Sequence, residues 1–283
     1  MMITYNSEAI ILRSRKFGEA DALLTLCSRN HGKISAIAKG VRKPKSTKRG
    51  GVQLFTHGVY SLRRGRNMDQ IDQCTITSSF GKLWGDLDRL SYATYVTELV
   101  DGFLLAGERN EELFLLLLTT LHLMEVHDPM LVALIFQIRL MQIMGYHPQL
   151  DTCVQCNQPI HQVYNRFSAQ LGGVLCPNCT SRDPFAINCH QGHLATIRQM
   201  AKINLAKLGI LKISPDYLRE LEKIFRSYVG FHLEKRVKSW DFINSVQGAP
   251  APGNKESRGV QPNGKSGENR CDSSTDECEL SSS

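Results

Sequence analysis

The sequence predicts an α+β protein, and three observations carry that prediction. Five short β-branched segments separated by turn residues fill the first eighty positions, helical periodicity takes over after Gly81, and two CxxC pairs interrupt the helices. At 283 residues the chain exceeds the usual single domain of about 100 to 200, so two folded units are expected. The composition shifts place them at 1–80 and 81–247, with a cysteine-rich insert at 151–183 and a tail at 248–283.

The five strand segments are "EAIILRSRKF", "DALLTLCSRN", "GKISAIAKGV", "GVYSLRRGRN" and "DQIDQCTITSSF". In the third, Ile34, Ala36 and Ala38 face one way while Ser35, Ile37 and Lys39 face the other. Both faces are partly apolar, as in a small barrel. Five short strands with a long basic excursion between the third and fourth fit a five-stranded OB-fold β-barrel better than a sandwich, with a half-open sheet as the alternative.

Beyond Gly81, Leu83, Leu87, Leu90, Tyr95, Leu99, Phe103 and Leu104 recur at helical spacing. Further helices are expected at about 111–126 and 130–144, separated by Asp128-Pro129 and ended by Gly145. After the insert, helix resumes at about 193–208 and 216–233, the latter announced by Ser214-Pro215-Asp216 and extending weakly toward Trp240. From Gly248 almost nothing can fill a core, so the tail, with Cys271 and Cys278, is expected to be disordered.

Charge is concentrated at one end. Met1 to Phe80 holds 14 Lys+Arg against 5 Asp+Glu, Gly81 to Gln247 holds 16 against 16, and Gly248 to Ser283 holds 4 against 6. The net charge of +7 therefore comes from the first eighty residues, as when one domain meets a polyanion. Lys39, Arg42, Lys43, Lys45, Lys48 and Arg49 occupy one acid-free loop, and Arg63, Arg64 and Arg66 follow in a hairpin-like stretch. Arg13, Arg15 and Lys16 extend the positive side. Such a surface neutralises phosphates with little dependence on base sequence. Phe17, Phe55 and Tyr60 are the candidates for base stacking, although core packing explains each of them more simply.

Cys153 and Cys156 are followed after nineteen residues by Cys176 and Cys179, two knuckles at a zinc-ribbon interval. Four thiolates saturate a tetrahedral Zn2+ ion and leave no position for an activated water, so the site is expected to be structural. Cys189, His190 and His193 lie close downstream as substitute ligands.

Enzyme chemistry finds no support: GxSxG, HExxH and GxGxxG are absent. Glu111-Glu112 and Asp86 with Asp88 read as helix-end charges, and His122 and His127 as packed or surface residues. No apolar run approaches the ~18 residues of a membrane span, and Tyr5, Asn6, Ser7 and Glu8 interrupt any signal-like core after Met1. The cytosol is the expected compartment.

The stretches "EAIILRSRKFGEADALLTLCSRNHGKISAIAKGVRKPKSTKRGGVQLF", "FQIRLMQIMGYHPQLDTCVQC" and "CPNC" together resemble the bacterial RecO family over roughly Ile3 to Val246. The resemblance implies an OB-fold barrel, a helical domain with a zinc-binding knuckle, and no catalytic activity. It implies a nucleoid-associated DNA repair and recombination mediator of the RecFOR pathway. Such a protein binds single- and double-stranded DNA, anneals complementary strands, and with RecR assists RecA loading on DNA coated by single-stranded-DNA-binding protein (SSB). DNA contact falls by resemblance on Lys39, Arg42, Lys43, Lys45, Ser46, Arg49 and Gly50. Binding of the acidic SSB tail falls on the helical part, with Arg139 as a candidate. The long tail departs from the family pattern. An RNA-binding zinc-ribbon protein acting on structured RNA or ribosomes stays open as a rival, and an enzyme without a local motif as a weaker one.

Overall fold

The computed structural model describes residues 3–233 and 235–246, so the tail expected from Gly248 lies outside the described residues. Strands β1 (Thr4–Phe17), β2 (Asp21–Ser28), β3 (Gly32–Ala38), β4 (His57–Arg63) and β5 (Asp69–Ser78) close into a barrel in the order β1-β2-β3-β5-β4. Closure depends on the length of β1. Its first half pairs with β4 from Thr4 to Ile10 and its second half with β2 from Ala9 to Phe17, with a register shift between Ile11 and Arg13. Such an irregularity bends a strand around a barrel corner.

Alternation along β1 explains why both its faces read as apolar. Ala9 and Ile11 join Leu24, Leu26, Ile34, Ala36, Tyr60 and Leu62 inside the barrel. Ile10 and Leu12, on the outer wall with Cys27, are equally buried because the helices cover them. The long basic loop after β3 crosses back over the barrel through a 3-10 turn at Gly50–Val52. There the Gly51 backbone lies so close to β5 that a Cβ would overlap the Cys74 sulfur, and Tyr60 Oη donates to Gly51 O at 2.9 Å. The glycine serves the barrel's own packing.

Helices α1 (Gly81–Trp84), α2 (Leu87–Phe103), α3 (Glu111–Met124) and α4 (Pro129–Ile143) follow. Asp86, Asn110 and Asp128 cap the last three by accepting from Arg89, Leu113 and Leu131 N–H at 3.0, 2.9 and 2.8 Å. Every residue of α4 from Leu131 to Ile138 is buried, and the one polar side chain among them, Gln137, accepts from Tyr95 Oη at 3.1 Å. Next come β6 (Tyr164–Ser168), β7 (Gly173–Leu175) and β8 (Ile187–His190), a small antiparallel sheet ordered β7-β6-β8 that extends past Asp183. Helices α5 (Gln191–Lys202), α6 (Pro215–Leu233) and α7 (Lys238–Val246) complete the described chain.

Two helix boundaries differ from expectation. The helix expected to Leu208 ends at Lys202, because Ile203 is extended and Asn204 caps a new 3-10 turn by accepting from Ala206 N–H at 3.0 Å. The weak extension toward Trp240 is a separate helix. Glu98 of α2 accepts from Lys238 N, Ser239 N and Ser239 Oγ and so caps α7, while Trp240 packs edge-on against Tyr95.

Ion pairs join the barrel to the helices. Arg29 bridges Glu8 at 3.1 Å and Glu111 at 2.8 Å, while Arg13 and Lys33 both meet Asp101 of α2 at 3.1 and 3.2 Å. Arg13 therefore belongs to this junction, not to the exposed positive side. Three of the barrel's cations are spent on the fold.

A buried carboxyl on α6, close to Tyr92 of α2 and to Asp128 at the start of α4, makes stability pH-dependent. Burial raises Glu222 to about 7; the Tyr92 hydroxyl, Arg226 and Arg219 oppose that rise and Asp128 adds to it. The folded chain thus keeps a proton that the unfolded chain has released, so the Glu222 contribution is complete below about pH 4.5 and is lost as pH rises through about 7. Glu222→Gln is expected to flatten this dependence, gaining up to about 3 kcal/mol on the wild type between pH 5 and 8 in urea titrations. Parallel curves for the two proteins would refute the assignment.

A basic groove and a four-cysteine centre

Where the ends of β1 and β2 meet the basic loop, a groove of about 690 Å³ opens. Ser14, Arg15, Lys16 and Ala22 form one wall; Val41, Arg42, Arg49, Val52, Gln53 and Leu54 form the other, and Trp84 of α1 stands beside them. The loop base is fixed to the β1–β2 turn. Gly40, at φ +65°, donates its N–H to Asp21 Oδ1 at 2.8 Å, and Arg42 N–H reaches Ala20 O at 2.9 Å. The Arg42 guanidinium donates to Glu19 O at 3.1 Å, which orients it while leaving other N–H groups for a ligand. Among the described residues no carboxylate pairs with Arg15, Lys16, Arg42 or Arg49. This positive charge is uncompensated.

The other predicted basic residues divide by position. Lys39, Lys43 and Lys45 are exposed along the loop, whereas Lys48 turns to β5 and donates to Ile71 O at 3.3 Å. Arg63 is held by Asp72 through two bonds of 3.0 and 2.6 Å, a bidentate pair that cancels its charge. Arg64 lies over the Tyr5 ring, which in turn touches His31 in the β2–β3 turn, at the far end of β2 from the groove. Arg66 is exposed in the β4–β5 turn. Ser46 and Gly50 are half-buried within the loop.

Of the three stacking candidates only Phe17 is exposed; Phe55 and Tyr60 are core residues. The aromatic at the groove is Trp84, 46% exposed, with its ring 5.7 Å from that of Phe55. Sequence reasoning passed over it. The available signal was a tryptophan between Gly81 and Gly85, on the opposite side of a short turn from the core residue Leu83.

The second centre is formed by Cys153, Cys156, Cys176 and Cys179, whose sulfurs all lie within 4.8 Å of one another. Cys156 and Cys176 sulfurs are 3.8 Å apart, close to the edge of a tetrahedron whose centre is about 2.3 Å from each sulfur. The first knuckle turns through Asn157 at φ +57°, with Asn157 N–H bonded to Cys153 O at 2.8 Å; the second closes by Cys179 N–H to Cys176 O at 2.9 Å. Burial works to raise the Cys153 thiol, but N–H groups of Cys176, Cys156 and Gln155 outweigh it and bring it down to about 6. Crowding among the sulfurs pushes Cys179 up to about 12, and burial raises Cys176, so four thiolates at this spacing need a cation between them, and the geometry suits a metal ion. Cys189 remains outside this set, buried on β8 and pushed up to about 12 by that burial, while His190 N–H bonds to His193 Nδ1 at the start of α5.

Arg139 lies in a cleft of about 410 Å³ with Leu115, Leu116, Ile143, Leu205 and Glu112. One of its N–H groups donates to Ile203 O, and its Nε is buried without a partner. The acidic pairs form no reactive constellation: Asp86 is a cap, and Glu111 is held by Arg29 and Arg109. His122 packs against the Phe80 ring. One motif escaped the sequence reading, Gly259–Ser266 ("GVQPNGKS"), which has GxxxxGK[ST] spacing but follows no strand-like run and lies outside the described residues. Among the described residues no helix is long and apolar enough to cross a membrane.

Comparison with known proteins agrees with this architecture across both parts. Residues 2–80 match the family described as "Recombination protein O N terminal", and residues 85–241 match "Recombination protein O C terminal". A DNA repair protein RecO from Pelotomaculum thermopropionicum is 38% identical over 250 residues, 88% of this chain and 97% of that relative. The one from Desulforamulus reducens is 37% identical over 245 residues, covering 87% and 96%, and that from Symbiobacterium thermophilum 35% over 254 residues, covering 88% and 100%. With an OB-like five-stranded barrel, a helical region, a four-cysteine cluster and matches over most of its length, the chain belongs to the RecO family of DNA repair and recombination proteins.

Proposed function

We propose that this protein is a non-enzymatic mediator that binds single- and double-stranded DNA, anneals complementary strands, and with RecR assists RecA loading on SSB-coated DNA in the bacterial cytoplasm. The observation that carries the proposal is the groove formed by Arg15, Lys16, Arg42 and Arg49, cationic and free of acid partners among the described residues. Phosphates entering it displace counterions, and two strands held on one basic surface repel each other less. Annealing by this route needs proximity and charge screening, with no general base and no nucleotide hydrolysis. Lys39, Lys43 and Lys45 widen the contact, with Arg64 and Arg66 meeting DNA at the far end of the barrel.

In this reading residues 1–80 hold DNA and residues 81–247 recruit proteins. The Arg139 cleft combines aliphatic walls with a half-buried guanidinium whose Nε has no partner, a suitable chemistry for an acidic, Phe-ending SSB tail. Cys153, Cys156, Cys176 and Cys179 would hold a zinc ion that fixes the insert, and four thiolates leave no open coordination position for chemistry.

The test is annealing of complementary oligonucleotides coated with SSB, without nucleotide or magnesium. The wild-type chain is expected to anneal them. Failure to bind or anneal DNA, together with tight binding of a folded RNA, would replace this proposal by the RNA-binding one.

A further inference from the structure

We propose that the groove is a single-strand subsite in which Trp84 stacks on an unpaired base while Arg15, Lys16, Arg42 and Arg49 take the flanking phosphates. This deepens the reading of the barrel as a DNA interface and rests on it. A backbone-only site needs cations and N–H donors; this groove also presents apolar surface, from the exposed Trp84 ring and half-buried Leu54, over a floor of the core residues Ala22, Val41 and Val52. Such a surface is wasted on phosphate and suits the flat, weakly hydrated face of a base. The volume, about 690 Å³, is in the range of sites that enclose small organic groups.

The two tryptophans differ in their surroundings. Trp240 is only 9% exposed, packed against Tyr95 and covered by Arg226 at 4.2 Å, and so belongs to the core. Trp84 is 46% exposed yet not loose, because the fully buried Phe55 ring supports it. An indole held in place beside four cations is pre-organised for stacking, which is tolerant of base identity because every base has a π-face.

The consequence is strand selectivity. In a duplex each base is already stacked and paired, so none reaches Trp84 without an unstacking cost, and only the cations act. On a single strand both act. Trp84 therefore sets the preference for unpaired DNA, whereas the four cations set overall affinity.

The experiment compares oligo-dT, an abasic strand of equal length and a duplex, using fluorescence-labelled DNA and the full chain. Trp84→Ala is expected to weaken oligo-dT binding by about 5- to 150-fold and to leave the abasic strand and the duplex unchanged. Trp84→Phe is expected to retain most of the affinity, and the unfolding midpoint of each variant checks that the Phe55 contact was not needed for folding. Wild-type tryptophan emission should be quenched by oligo-dT and not by the abasic strand. Equal losses on all three ligands, or none on oligo-dT, would overturn the stacking role while leaving the basic interface in place. If wild type binds none of the three, the DNA interface itself fails.

Discussion

Replacing Lys16, Arg42 and Arg49 together by alanine is expected to lower DNA affinity on the order of a hundredfold at low salt, for single strands and duplex alike. These three cations come from two segments, the end of β1 and the basic loop, and converge on one groove with no acid among the described residues to neutralise them. Each phosphate contact releases a condensed counterion, so the log–log salt dependence should become shallower by about 2 on single strands and about 3 on duplex. Annealing of SSB-coated strands should fall in parallel.

The control is Arg63→Ala. Sequence reading ranks Arg63 with the other cations, but its two bonds to Asp72 already satisfy it, and deleting it leaves the Asp72 carboxylate on β5 with the Gln70 amide as its remaining hydrogen-bond partner. That change is expected to alter DNA binding by less than about threefold, with the salt slope unaffected. Salt slopes unchanged in the triple variant, with its unfolding midpoint intact, would remove the groove from the binding surface. A slope as shallow in Arg63→Ala would show that net charge, not the groove, governs affinity.

The reason such a partition escapes the sequence is that ion pairs are made by the fold. Arg13 and Lys33 meet Asp101, and Arg29 meets Glu111, across sixty to ninety positions of chain. A segment sum counts all of them as free. By contrast the five strands were legible, because alternation is a local signal and the barrel interior repeats it faithfully at Ile34, Ala36 and Ala38. The double burial of β1 was legible only as composition: Ile10 and Leu12 look like Ala9 and Ile11 until α2 and α3 cover them.

The helical region shows the same division. Caps at Asp128 and Ser214 announce their helices, since each acts within three residues. The start of α7 is written elsewhere, in a carboxylate of Glu98 that accepts from Lys238 and Ser239 N–H across the helix contact. Trp84 was missed for a related reason. Its neighbours in sequence say nothing of the groove, which forms only when α1 is set beside Leu54 and Phe55.

Cys153→Ser and Cys156→Ser are expected to be about equally destabilising, by roughly 3 kcal/mol or more, and that equality is the informative result. The two sulfurs sit in opposite surroundings: Cys153 is fully buried in the main hydrophobic cluster, whereas Cys156 is exposed. Were the cysteines only packing groups, losing the first would cost stability and losing the second would stay within about 0.5 kcal/mol. A shared ion would couple them, because an incomplete tetrahedron loses affinity whichever ligand is removed. The strands framing the site are too short to stand alone, β7 having three residues and β8 four, so the free energy of binding such an ion would become folding free energy for the insert. Elemental analysis should find one zinc per wild-type chain and none in either variant, and hydrogen exchange should accelerate from Asp151 to His190 while the barrel stays protected. DNA affinity should change by less than about threefold, since no cysteine lines the groove. A harmless Cys156→Ser beside a costly Cys153→Ser would reduce the four-sulfur cluster to ordinary core packing.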